Sequence, residues 1–188
     1  MLIDNDMSRV KPLKQSLIDN GFTVVAHIEN TFDLESKCCE AQPDIVIIDT
    51  DSPNRDTLEN ICVMSMHNTR PVVMFTHDGD KQKIKAATQA GVSAYVVGTI
   101  PSERLIPVID AAVARFEEFK NLRTELTIAN TKLDERKVIE RAKGLLMKQR
   151  KMDEEEAYNL LRSMAMKKNM KLADLSNQLL DAASMLIV

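Results

Sequence analysis

The sequence predicts a doubly wound α/β domain followed by an all-α tail. Two observations carry that prediction. Through roughly the first hundred of the 188 residues, short apolar runs alternate with amphipathic stretches, and beyond Pro101 no strand-like run recurs. Runs that are apolar on both faces and separated by helices indicate a parallel sheet covered on each side.

Leu2–Ile3 opens as a strand, cut short at Met1 in a way that suggests a start some residues upstream. A helix over 7–20 follows, with Val10, Leu13, Leu17 and Ile18 at 3–4 spacing and Gly21 as its stop. Phe22–Ile28 is rich in β-branched residues and predicts the second strand; Phe32–Ala41 predicts the second helix. Pro43 precedes the third strand, Ile45–Ile48, and a helix over 54–67 leads to the fourth strand, Val72–Phe75. A helix over about 80–90 stops at Gly91, and Ala94–Val97 is the fifth strand. Five such units in about 110 residues make a flavodoxin-like (βα)5 domain, placed at residues 1–103.

From Arg104 to Arg150 the chain holds one Gly (Gly144) and one Pro (Pro107), and reads as continuous helix. Phe119, Leu122, Leu126, Ala129 and Leu133 follow the 3-4-3-4 spacing of a coiled-coil seam. Residues 104–135 are therefore expected to pair with a second copy as a homodimer. The last domain, 136–188, reads as three helices. The first carries Ile139, Ala142, Leu145 and Leu146 on from the seam. Asp153 and Glu156 form a capping-box pattern that starts the second, which carries Ala157, Leu160, Leu161, Met164 and Ala165 and ends near Asn169. Leu172, Leu175, Leu179 and Leu180 mark the third. Glu154–Glu156 are thus a helix start rather than a metal cluster.

Composition narrows the function. Hydrophobic residues make up 44%, ordinary for a globular chain, while aromatics at 4% with no Trp exclude extensive stacking on bases. The 11 Met residues read as helix-packing filler. Cys38, Cys39 and Cys62 offer neither a C-x-x-C pair nor an even count, which argues against a zinc site or a disulfide framework and fits a reducing compartment. No apolar run approaches the ~20 residues of a membrane span, so a cytoplasmic protein without a membrane partner is expected. Charge is uneven: residues 1–115 hold 11 Lys and Arg against 16 Asp and Glu, whereas 136–171 hold 11 against 5. That local basic patch suits a polyanion.

At the carboxyl ends of the predicted strands, where such sheets collect functional groups, stand Asp4, Asn5, Asp6, Asp49, Asp51 and Thr76. The arrangement resembles the receiver domain of bacterial response regulators. The resemblance assigns Asp49 to the phosphoacceptor, Thr76 to the switch hydroxyl, Tyr95 to the switch aromatic and Asp4 to one member of the acidic pair. Asn5 stands where the second acid belongs, with Asp6 one residue on as its candidate replacement, and Gly98 stands where the family has a Lys. Losing that cation and a carboxylate implies a pseudo-receiver whose Asp49, Asp4, Asp6 and Thr76 are vestiges of phosphotransfer.

The segment Arg136-Lys-Val-Ile-Glu-Arg-Ala-Lys-Gly144, with Leu146-Met147, Ala157, Leu161-Arg162, Ala165, Leu172 and Leu175, resembles the ANTAR family of RNA-binding transcription antiterminators. The order receiver-like domain, coiled coil, ANTAR is similar to the AmiR/NasT type. Asp49-Thr-Asp-Ser-Pro-Asn-Arg-Asp-Thr-Leu58 is closer to the NasT branch. The resemblance implies binding to paired stem-loops in an mRNA leader, which prevents terminator formation. It also implies nitrate or nitrite assimilation genes as targets, and a nitrate/nitrite-binding sensor protein that sequesters the regulator. The RNA-contacting candidates are Arg141, Ala142, Lys143, Gly144, Lys148, Arg162, Ala165, Lys167 and Lys168, with Lys143 and Arg162 foremost; the small residues are expected to admit a backbone or loop base. No catalytic set, cofactor or metal is expected. The competing reading is a phosphorylation-switched response regulator with RNA- or DNA-binding output.

Overall fold

Alternation of buried side chains along short strands gives a sheet two apolar faces, and each must be covered. In the computed structural model, which describes residues 1–67, 69–99 and 101–185, five parallel strands lie in the order β2-β1-β3-β4-β5. They are β1 (Leu2–Ile3), β2 (His27–Ile28), β3 (Val46–Thr50), β4 (Val72–Thr76) and β5 (Ala94–Val97). Helices α1 (Met7–Asp19), α2 (Leu34–Ala41), α3 (Arg55–His67), α4 (Lys81–Ala90) and α5 (Ser102–Arg150) follow each strand in turn. Ile3, Val46, Ile48, Val72 and Met74 point to one face and pack with Leu34, Cys38, Ile61, Met64 and Ala87 of α2, α3 and α4. Leu2, Ile47, Val73 and Phe75 point to the other, against Val10 and Leu17 of α1 and Leu105, Ile109 and Ala112 of α5. This is the doubly wound, flavodoxin-like order the sequence predicts. Its crevice lies between β1 and β3, where the chain reverses its direction of winding.

Two elements differ from expectation. The second strand spans only His27–Ile28, because its one neighbour, β1, offers two residues to pair with; Phe22 and Val24 pack against the core without a ladder. Helix α2 starts at Leu34 rather than Phe32, because Asp33 takes a left-handed conformation (φ 53°) that no helix residue can share. Gly91 does end α4, at φ 108°, and a Cβ there would sit 2.4 Å from Ser65 Oγ, so the position accepts only glycine.

The chain divides into two units, Met1–Lys120 and Asn121–Val188. The first α/β unit extends beyond the expected boundary at 103 because Leu105, Ile109 and Ala112 belong to its core. Along α5, the seam residues Phe119, Leu122, Leu126 and Leu133 are all exposed large hydrophobics. In the second unit Ala142 and Leu146 of α5 pack with Ala157, Leu161 and Ala165 of α6 (Glu154–Lys168) and Leu175 of α7 (Leu172–Met185). The capping box forms as the sequence predicts: Asp153 accepts from Glu156 N at 2.8 Å, and Glu156 accepts from Asp153 N at 3.1 Å. Asn169, left-handed at φ 51°, closes α6.

Candidate nucleic-acid interface and acidic pocket

The tail places its predicted residues in two groups. On α5, Arg141, Gly144 and Lys148 fall at i, i+3 and i+7 and so share a face; all three are exposed, and the space above Gly144 is open. Arg162, Lys167 and Lys168 of α6 are exposed as well, and none of these cations joins an ion pair among the described residues. Arg150, which the sequence also offers for phosphate neutralisation, is exposed, and Lys151 and Lys171 are further exposed cations that the sequence reading did not single out.

The other three are buried. Ala142 and Ala165 lie in the helix–helix core at 0% and 4% exposure, so the close approach they permit is between helices and not toward a ligand. Lys143 is 7% exposed. Its ammonium donates to Glu154 Oε1 at 2.6 Å and sits 2.8 Å from Glu140 Oε1. Glu140 and then Glu154 hold the Lys143 pKa above the usual lysine range, and Lys143 in turn holds Glu154 below the usual carboxylate range. Lys143 therefore fastens α5 to the first turn of α6. Where the sequence reading expects Lys143 to face RNA, its charge here is met inside the domain by Glu140 and Glu154.

At the carboxyl edge of the sheet, Asp49 lies half-buried near the end of β3. Burial, and next the Asp4 carboxylate, push its pKa up. The Asp4 side chain is fully buried, and both of its carboxylate oxygens accept hydrogen bonds. Arg9, on the first turns of α1, donates from Nη2 to Asp4 Oδ1 at 2.9 Å and from Nε to Oδ2 at 3.0 Å, while Asp6 N donates to Oδ1 at 2.8 Å. The same guanidinium donates through Nη1 to Asp51 Oδ1. Asp6 does not replace the missing acid: it is exposed and caps α1, accepting from Ser8 N at 2.8 Å and Ser8 Oγ at 2.6 Å.

The switch positions are equally occupied. Thr76 Oγ1 donates to Asp51 O at 2.8 Å and accepts from Asp78 N at 3.2 Å; Tyr95 Oη donates to Asp78 O at 2.8 Å. Lys83 of α4 donates to Asp78 at 2.6 Å and to Ser52 at 2.6 Å, tying together the loops that follow β3 and β4. The Lys83 and Ser52 hydrogen bonds hold Asp78 well below the usual carboxylate range. Gly98, at φ 89°, carries no cation to the end of β5. It lines, with Arg9, Ser16, Asp49, Thr76 and His77, a cavity of about 360 Å³. Sequence reasoning found the acids and missed Arg9, Lys83 and Asp78, whose partners lie on other loops.

The response regulator receiver domain family matches residues 1–110, and the ANTAR domain family matches residues 129–180. The transcriptional regulatory protein PdtaR of Mycobacterium tuberculosis is 30% identical over 167 residues, covering 88% of this chain and 82% of that protein. The nitrate regulatory protein of Klebsiella oxytoca is 36% identical over 78 residues, 42% of this chain and 19% of that one. A CheY-like response regulator receiver domain protein from Methanospirillum hungatei superposes with a TM-score of 0.54 at 17% identity, over 62% of this chain and 94% of that one, a likeness of fold. Among the described residues no helix is long and apolar enough to cross a membrane. With a receiver domain at its N-terminus and an ANTAR domain at its C-terminus, the chain belongs to the ANTAR family of receiver-linked regulators.

Proposed function

We propose that this regulator is a cytoplasmic transcription antiterminator, whose tail binds paired stem-loops in an mRNA leader and prevents the overlapping terminator from forming. The observation that carries the reading is the ANTAR match over 129–180, on helices whose exposed cations Arg141, Lys148, Arg162, Lys167 and Lys168 join no ion pair among the described residues. Such cations neutralise phosphates, and a hairpin loop presents splayed bases that an A-form groove does not. The exposed seam of α5 is the surface through which two copies pair. A dimer carries two tails, and two tails on two linked hairpins gain affinity through effective concentration.

Control comes from a separate ligand-sensing protein rather than from phosphorylation of Asp49. In support, the receiver carries Gly98 at the lysine position and its Thr76 and Tyr95 hydroxyls are already bound. The 36% identity to a nitrate regulatory protein favours nitrate or nitrite assimilation genes as targets and a nitrate/nitrite-binding sensor as the sequestering partner. Single-round transcription through a leader with two stem-loops and a terminator tests the reading. Added protein is expected to raise the full-length fraction. Unchanged termination at protein concentrations that saturate the hairpins refutes it.

A further inference from the structure

Receiver domains of the resembled kind use a divalent cation held by their acidic pair and phosphoacceptor, and the residues here do not fit one. A Mg²⁺ ion requires near-octahedral oxygen ligands. Asn5 removes one carboxylate, Asp6 turns outward to cap α1, and the oxygens of Asp4 are spent on Arg9 and Asp6 N. Among the described residues no three acidic, His or Cys side chains are placed to share a metal.

We infer that the Arg9 guanidinium is the resident cation of this pocket, taking the Asp4 carboxylate that a divalent ion would need and bridging it to Asp51, so that the receiver domain balances its charge without metal. The geometry is specific. Arg9 grips the fully buried Asp4 side-on with two hydrogen bonds and reaches Asp51 with its remaining nitrogen. A planar fork suits this bridging, which a lysine point charge would not reproduce. Arg9 is itself only 23% exposed, so its pair with the buried Asp4 is shielded from water, while the Asp51 end, at 79% exposure, is open to solvent. It ties the first turns of α1 to the loop after β3. Lys83 ties that same loop to the one after β4. The loops flanking Asp49 are thus fixed by cations that are part of the chain. The inference stands on the receiver geometry and is independent of RNA binding by the tail.

The test uses the full-length protein and Mg²⁺ or Mn²⁺ as probes. The thermal midpoint of the native protein is expected to be the same in millimolar Mg²⁺ and in chelator. Arg9→Ala, which leaves Asp4 buried without its partner, is expected to melt several degrees lower, and adding Asp4→Asn, which removes the buried charge, is expected to regain much of that loss. A double variant no more stable than Arg9→Ala overturns the claim that Arg9 is the cation Asp4 depends on. Mn²⁺ binding to the native protein, followed by electron paramagnetic resonance, serves where Arg9→Ala does not fold. No Mn²⁺ bound at millimolar ion supports the inference; binding that Asp4→Asn abolishes overturns it.

Discussion

Arg162 and Lys143 lie in the same signature, yet one is exposed and the other is buried between two carboxylates, which predicts opposite consequences of neutralising each. Arg162→Gln removes an exposed cation that joins no ion pair among the described residues. Losing one phosphate contact lowers the slope of log affinity against log salt by about 0.7–0.9. A fourfold rise in salt therefore costs that contact about threefold in affinity, and the variant loses that increment of salt sensitivity. Its thermal midpoint should match the native protein, since the side chain is exposed. Lys143→Gln takes away the ammonium between Glu140 and Glu154. Its midpoint should fall, and Glu154→Gln should produce a smaller fall of the same kind. The salt slope of the Lys143 variant's folded fraction should remain native. Fluorescence anisotropy of a labelled two-hairpin RNA, repeated at several salt concentrations beside thermal melts, separates the two. A shallower slope for Lys143→Gln with an unchanged midpoint would refute the assignment of Lys143 to the α5–α6 junction.

Three further outcomes follow from the geometry. Asp49 has a folded-state pKa above its ordinary 3.8, so ionising it costs the folded state, and that cost is fully present once the pH exceeds the folded value. Asp49→Asn should raise the thermal midpoint at pH 7, with the gain shrinking as the pH falls toward 3.8; a gain independent of pH would contradict the cause given. Leu161 is wholly buried among α5, α6 and α7, and Leu161→Ala should cost about 2–5 kcal/mol by urea denaturation of the tail. Leu126→Asp, at an exposed seam position, should leave helicity intact while sedimentation changes from dimer to monomer.

What the sequence makes legible here is whatever depends on local periodicity. The strands β3, β4 and β5, the stop at Gly91, the capping box at Asp153 and the left-handed close at Asn169 are all set by neighbours along the chain. Partners distant in sequence are not so written. Arg9 reaches Asp51 across 42 residues, and nothing in the first helix's pattern marks it as the cation of the pocket. Likewise the basic count over 136–171 treats Lys143 and Arg162 alike. Only the packing of α5 on α6 turns one inward onto Glu154 and leaves the other in solvent. Ala142 and Ala165 illustrate the same limit: small residues signal close approach, but the sequence does not say whether a helix or a ligand is what approaches. The second strand fails for a different reason, since β-propensity at 22–26 has no partner strand long enough to use it.

The most direct test of the account is equilibrium binding of the full-length protein to a two-hairpin leader RNA and to duplex DNA of the same sequence, each titrated across salt. Tight binding to the RNA that persists where DNA binding has been lost, and that weakens on Arg162→Gln, is the predicted result. Equal and equally salt-fragile binding to both would mean that the exposed cations provide only general attraction to phosphate, and would contradict RNA recognition by the tail.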